Sequence, residues 1–397
     1  MLKRLAIFTV IAVIGIVLAC GESDDTVTDP QGANAIVDEA NDSLANVLFE
    51  LVNQDSVSSP DEIDFTAVNQ LYKDALELDP DNLDANFGAG LTELLMVFVD
   101  PQVNATFDEW EAFLDTASIF EPPGGGLAKD LNNPAELFSI SPAILSSYSA
   151  GVFKMALVDP PMISSIQDLV ENEVFPRVAY AIEKLEVVAE NPSYTFIITP
   201  HMQGDDTEDP IEIDLTEVYV AIAQLYAMKS IGNIFISYDF DIASYDSVGL
   251  EEMIDQNSDF LGLRTGGAAA MGDVKSSFLT AVANLGFAIT FLRAETDNQV
   301  DDLIRIGPDD IDEADLDSLE NHLPDFLDIL NDSYELTEDF NDDGVDETIS
   351  ISIGAIFDDP ISNIKQKLPP YTSHVVRDTS WYTYWEYHPD SGWYEIE

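Results

Sequence analysis

The chain has 397 residues, enough for one large core or two smaller ones, and its apolar and aromatic shares of 46% and 10% exclude overall disorder. Its 76 acidic residues face 15 basic ones, a net charge of −61 that excludes nucleic acid as a partner, because phosphate binding needs clustered Lys and Arg. One cysteine excludes an intramolecular disulfide, and the four scattered histidines (His201, His322, His374 and His388) make no HxxxH pair, which argues against zinc.

The first stretch, Met1 to Cys20, reads MLKRLAIFTVIAVIGIVLAC. Lys3 and Arg4 precede an apolar core of 15 residues, Leu5 to Ala19, short for a membrane span and right for a signal peptide. Val17-Leu18-Ala19-Cys20 resembles a bacterial lipobox. That resemblance implies removal of residues 1–19 and lipidation of Cys20 with diacylglycerol and an acyl chain such as palmitate, a stable anchor without a spanning helix. An ordinary secretory signal or an uncleaved N-terminal anchor is the alternative. Gly21 stands where inner-membrane lipoproteins carry Asp, so the resemblance implies an outer-membrane anchor. Glu22-Ser23-Asp24-Asp25 resembles a surface-export tether, which leaves both the periplasmic face and the cell surface open.

Residues 20–32 are polar and read as a flexible tether, and a helical domain with repeat character is expected over 33–336. A helix from Ala33 to about Gln54 carries Val37, Ala40, Leu44, Leu48 and Leu51 at spacings of three and four. Ser59-Pro60 opens the next helix, which brings in Val68, Leu71, Tyr72, Ala75 and Leu76. Asp79-Pro80-Asp81-Asn82 stops it, and a second apolar helix follows through Phe87, Leu91, Leu94, Leu95 and Phe98. Tyr72, Ala75 and Leu78-Asp79-Pro80, then Ala85, Phe87 and Gly90, resemble the junction of two tetratricopeptide repeats. The pattern departs at Asn86, where the repeat has Trp, and at Glu93, where it has an aromatic. The resemblance implies a mainly α fold, a tetratricopeptide-like array of helical hairpins.

Further on, Thr106 is expected to cap a helix carrying Phe107, Trp110, Phe113 and Leu114, which Pro122-Pro123-Gly124-Gly125-Gly126 breaks. Residues 134–158 read as one short helix or two, and Asp159-Pro160-Pro161 opens a long helical run that ends near Ala189. The period then changes. Tyr194 to Ile198 and Ile211 to Ile213 are β-branched and aromatic around a polar linker, which predicts a β-hairpin inserted near 194–214. Helices are predicted again over Leu215–Ile236, residues 273–295 and the acidic Ala314–Tyr334, the last with Pro324 inside. The Gly267 to Gly272 spacing is not a phosphate loop, because Asp273 and Val274 stand where Lys and Ser or Thr are required.

The C-terminal region, 337–397, holds the best chemical motif, Asp339-Phe340-Asn341-Asp342-Asp343-Gly344-Val345-Asp346-Glu347. Oxygen side chains at positions one, three and five converge on a hard cation, Gly at six permits the turn, and position seven offers its carbonyl. The loop resembles those of EF-hands and shorter calcium motifs, which implies calcium held by Asp339, Asn341, Asp343, Val345 and Glu347. Ser350 occupies the place of the bidentate glutamate, so a weak structural site is expected, and the alternating residues after the loop predict a strand. An acidic glycine turn without a metal is the alternative. The aromatic segments Trp381–Tyr387 and Trp393–Ile396 predict a second hairpin. These readings combine into a lipid-anchored envelope protein that binds a protein, a peptide or a small ligand in a helical groove. An acidic-residue hydrolase of envelope or extracellular polymers, an accessory subunit of a solute transporter, and a calcium-stiffened structural component are the alternatives. No nucleophile elbow points to catalysis.

Overall fold

The computed structural model describes residues 28–53, 65–117, 161–242, 257–296, 301–307, 311–331, 334–338, 347–367, 384–388 and 392–396. The fold is mainly helical with small two-stranded antiparallel sheets. Helix α1 spans Pro30–Asn53 and buries Ala33, Val37, Ala40 and Leu44 on one stripe. The Oδ1 of Asp29 accepts the Gly32 amide at 3.1 Å and so caps its first turn.

Helices α2 (Thr66–Leu78) and α3 (Leu83–Val99) form the expected antiparallel pair. Between them Asn82 caps α3 by accepting the Ala85 amide at 2.9 Å. The buried Asn86 donates to the carbonyls of Pro80 and Asn82 and clamps the turn from below. This is why a small amide suits a position where a bulky indole was the expectation. Gly88 has a comparable reason: a Cβ there would lie 2.2 Å from the ring of Tyr72. That ring is fully buried, and its hydroxyl donates to Asn41 of α1 at 2.6 Å.

Helix α4 runs from Pro101 to Ala117, six residues longer at its start than a cap at Thr106 would allow. Asp100 is the true cap, its Oδ1 accepting from Gln102 and Val103, while Thr106 bonds back to the Gln102 carbonyl within the helix. The run after Pro161 is not one regular helix either. Helix α5 (Ile163–Leu169) passes through a π turn, Val170–Val174, into α6 (Phe175–Ala189). Pro176 has no amide to give, and its ring would strike the carbonyl one turn back in a regular helix. The widened turn answers this, with the Phe175 amide reaching Val170.

Strands β1 (Phe196–Ile198) and β2 (Ile211–Ile213) pair as the expected hairpin, Phe196 opposite Ile213. Their connecting segment docks on the end of α1, where Asn53 donates to the Gly204 carbonyl at 2.8 Å and His201 stacks on Phe49 at 4.3 Å. Helix α7 (Leu215–Ser237) opens with a capping box formed by Asp214 and Glu217. Helix α8 (Gly267–Ala294) starts six residues before the expected 273. The reason is Gly267, which packs so close to the Ser237 carbonyl that a Cβ would lie 2.2 Å from it. Contacts of Ser230 with Val274 and of Tyr219 with Phe287 show α7 and α8 running antiparallel along their full length.

Helix α9 (Glu313–Asn331) continues through Pro324 and ends before Tyr334, which belongs instead to a strand. That strand, β3 (Tyr334–Glu338), pairs with β4 (Glu347–Ile351), and a short helix α10 (Gly354–Asp358) packs back on α9. Strands β5 (Tyr384–His388) and β6 (Gly392–Ile396) make the predicted C-terminal hairpin. The main core joins α3, α6, α7 and the β1–β2 hairpin around Leu94, Val178, Ile182, Leu185, Val218 and Leu225. The long helices pack α1 on α2, α2 on α3, α6 on α7, α7 on α8 and α8 on α9, while α3 passes over α4 and α5 to pack on α6.

Candidate functional site

Of the residues expected to hold calcium, Glu347 lies at the start of β4 and Asp339, Asn341, Asp343 and Val345 lie outside the described residues, as does Cys20. The flanking strands nonetheless fix where the motif sits. Glu338 pairs with Glu347, and the hydroxyls of Thr337 and Thr348 meet at 2.9 Å, so the motif closes a β-hairpin. A strand after the loop agrees with the sequence pattern. Among the described residues no three acidic or histidine side chains converge as a metal site.

Two polar clusters stand out in the folded body. The first is a seam across α2, α3 and α6. Glu93 on α3 is 7% exposed and accepts from Lys73 at 2.5 Å and from Arg177 at 3.1 Å. Arg177 also reaches Asp100 at 2.8 Å. Burial pushes the Asp100 carboxyl up, but the amides of Gln102 and Val103 and the Arg177 guanidinium outweigh it and hold the group below the usual range. Beside this network lies Tyr180. Its ring carries the ammonium of Lys73 at 5.0 Å and that of Lys184 at 5.1 Å. Burial, then the negative Glu93 and Glu183, raise the Tyr180 hydroxyl, so it stays a neutral donor. Three cationic side chains and an aromatic face therefore meet on the helical stack of a strongly acidic chain. Each cation is already paired, Lys73 and Arg177 with Glu93, Arg177 with Asp100 and Lys184 with Glu183 at 2.7 Å, so an anionic group would bind here only by displacing one of these carboxylates.

The second cluster sits where α7 begins and α8 ends. Both oxygens of Glu217 accept backbone amides, Asp214 at 2.9 Å and Ile304 at 2.7 Å. Glu295 accepts from the Thr216 hydroxyl at 2.8 Å and faces Asp214 and Asp302. Burial first, and then the neighbouring carboxyl of Asp214, push Glu217 up to about 8; Glu295 rises to about 8 for the same reasons. These are the convergent acids a hydrolase would need, but their oxygens are spent on fastening residues 301–304 to the cap of α7. Glu212 adds to that fastening through backbone bonds with Asp301 and Leu303. The arrangement is a latch rather than a cleft.

No family model, curated protein or solved structure matches this chain. The sequence reading missed both clusters. Glu93 gave a signal, a charge at a buried phase of an apolar helix, and so did Asp214 and Glu217, which fit the capping-box spacing. Glu295 and Asp302 gave none, because carboxylates are too frequent here for a pair to stand out.

Proposed function

We propose that this chain is a lipid-anchored cell-envelope binding protein, held by Cys20, whose tetratricopeptide-like stack recognises an anionic group on a protein, peptide or small ligand. The observation that carries the reading is the seam of α2, α3 and α6 where Lys73, Arg177 and Lys184 gather around Tyr180, each held by a carboxylate (Glu93, Asp100 or Glu183) that an anionic ligand group would replace. The sequential packing of α1 on α2, of α2 on α3, of α6 on α7 and of α7 on α8 supports the repeat-like architecture. Calcium fits the β3–β4 hairpin, since Glu338 and Glu347 are direct cross-strand neighbours where its loop begins and like charges there are costly unless a cation lies between them. The expected role of the ion is structural, with an affinity of roughly 10⁻⁴–10⁻³ M as in extracellular modules.

Affinity capture of the tagged full-length protein from its own envelope tests this, run with calcium and with a chelator. A stoichiometric partner that Lys184→Glu releases supports recognition at the seam, and loss in chelator ties the hairpin to the interface. Absence of any partner in both conditions overturns protein binding and leaves small ligands. Palmitate labelling that disappears in Cys20→Ser checks the anchor separately.

A further inference from the structure

We propose that the outer face of the α7–α8 pair is the surface on which two copies of this chain meet. In a chain with 76 acidic residues, the 20 residues Val218–Ser237 and the 21 residues Val274–Ala294 contain none. The acids of these two helices lie ahead of those stretches, Glu217 buried in the first turn of α7 and Asp273 exposed near the start of α8, whereas the other described α-helices carry acid within their bodies or last turns. The face is also apolar and open. Ile231 on α7 and Phe287 on α8 are each 56% exposed. Exposed apolar surface of this kind marks an interaction site more often than it marks a bare monomer.

Charge selects the occupant. Two bodies of net −61 repel wherever carboxylates face each other. A basic partner would be drawn to the acidic faces and has no use for an acid-poor one. An anionic membrane surface is repelled by the rest of the body. A partner as acidic as this chain needs a face poor in acids, with Asp273 at its end as the one exposed carboxylate of α7 and α8, and a second copy brings the matching one. The shapes also match. The outer stripe of α8 is small at Gly272, Ser276 and Ala283, with open space over Gly272, while α7 presents Ile231. A twofold axis sets α7 of each copy against α8 of the other, so every contact occurs twice. A helix pair about 35 Å long and about 20 Å wide offers roughly 700 Å² per chain, close to the area a stable interface uses.

The test is sedimentation equilibrium of the full chain in density-matched non-ionic detergent with reducing agent, at micromolar concentration and about 0.15 M salt. The mass of two chains is expected. Ile231→Glu and Phe287→Glu, both at exposed positions, are each expected to weaken association at least tenfold and leave the helical circular dichroism unchanged. A single-chain wild type overturns the proposal, whether it stays free or floats with neutral phosphatidylcholine vesicles. So does a dimer that survives both substitutions.

Discussion

At the scale of single residues, the fold depends on side chains that fill places no other residue fits. Gly88 is the clearest, because the Tyr72 ring occupies the space its Cβ would need. Gly88→Ala is expected to cost about 1–3 kcal/mol through overpacking, measured by urea denaturation. Arg177 is the second. It satisfies two nearly buried carboxylates, and Arg177→Ala leaves Asp100 without an ionic partner and Glu93 with Lys73 alone. A loss of about 3 kcal/mol is expected in the same assay, since removing one partner strands the other charges. A loss under about 0.5 kcal/mol would show that the seam is solvated like a surface pair. Neither residue was legible as a singular position in the sequence. No local pattern sets Gly88 or Arg177 apart, because the partners that give them meaning come from other helices.

The elements were legible where local chemistry decides them. Asp79-Pro80 ended α2, the β-branched run made the first hairpin, and the alternation after the acidic loop made β4. The differences arose where tertiary contact decides. The start of α8 depends on Gly267 against Ser237, and the π turn on accommodating Pro176 inside a continuous helix. The latch at the α7 cap has a consequence for pH. Glu217 and Glu295 hold protons in the folded protein up to about pH 8, whereas exposed glutamates release them near 4.5. The unfolded chain thus binds fewer protons across that window, and stability falls as pH rises from about 4.5 to 8. The thermal midpoint is therefore expected to be higher at pH 5 than at pH 8. Glu295→Gln keeps an acceptor for Thr216 and supplies a permanent donor toward Asp214, so it should flatten this dependence and raise the midpoint at pH 8. An unchanged slope in Glu295→Gln would mean that Glu295 plays no part in the proton dependence.

For the whole molecule, charge is the governing quantity. Fifteen basic residues cannot neutralise 76 acidic ones, so the compact state carries repulsion that the few ion pairs do not relieve. Raising sodium chloride from 0.1 M to 1 M shortens the screening length from about 10 Å to about 3 Å. The thermal midpoint is expected to climb by several degrees in differential scanning fluorimetry over that range. A fall would show that the Glu93–Arg177 and Arg293–Asp317 pairs, rather than the carboxylate excess, control the balance. The net charge was evident from composition alone. The gathering of three cations beside Tyr180 was not, because Lys73 lies more than 100 residues from Arg177 and Lys184.

The order in which the helices pack carries one more consequence, and it concerns time. Most long helices find a partner in the next one along the chain, whereas α3 must wait for the distant α6. A chain emerging from the ribosome can settle α1 on α2, and α2 on α3, before the last helices exist. Such assembly limits the interval in which apolar stripes stand uncovered. The latch formed by Glu217 with residues 301–304 closes only after α8 has emerged, because both of its halves must first be made.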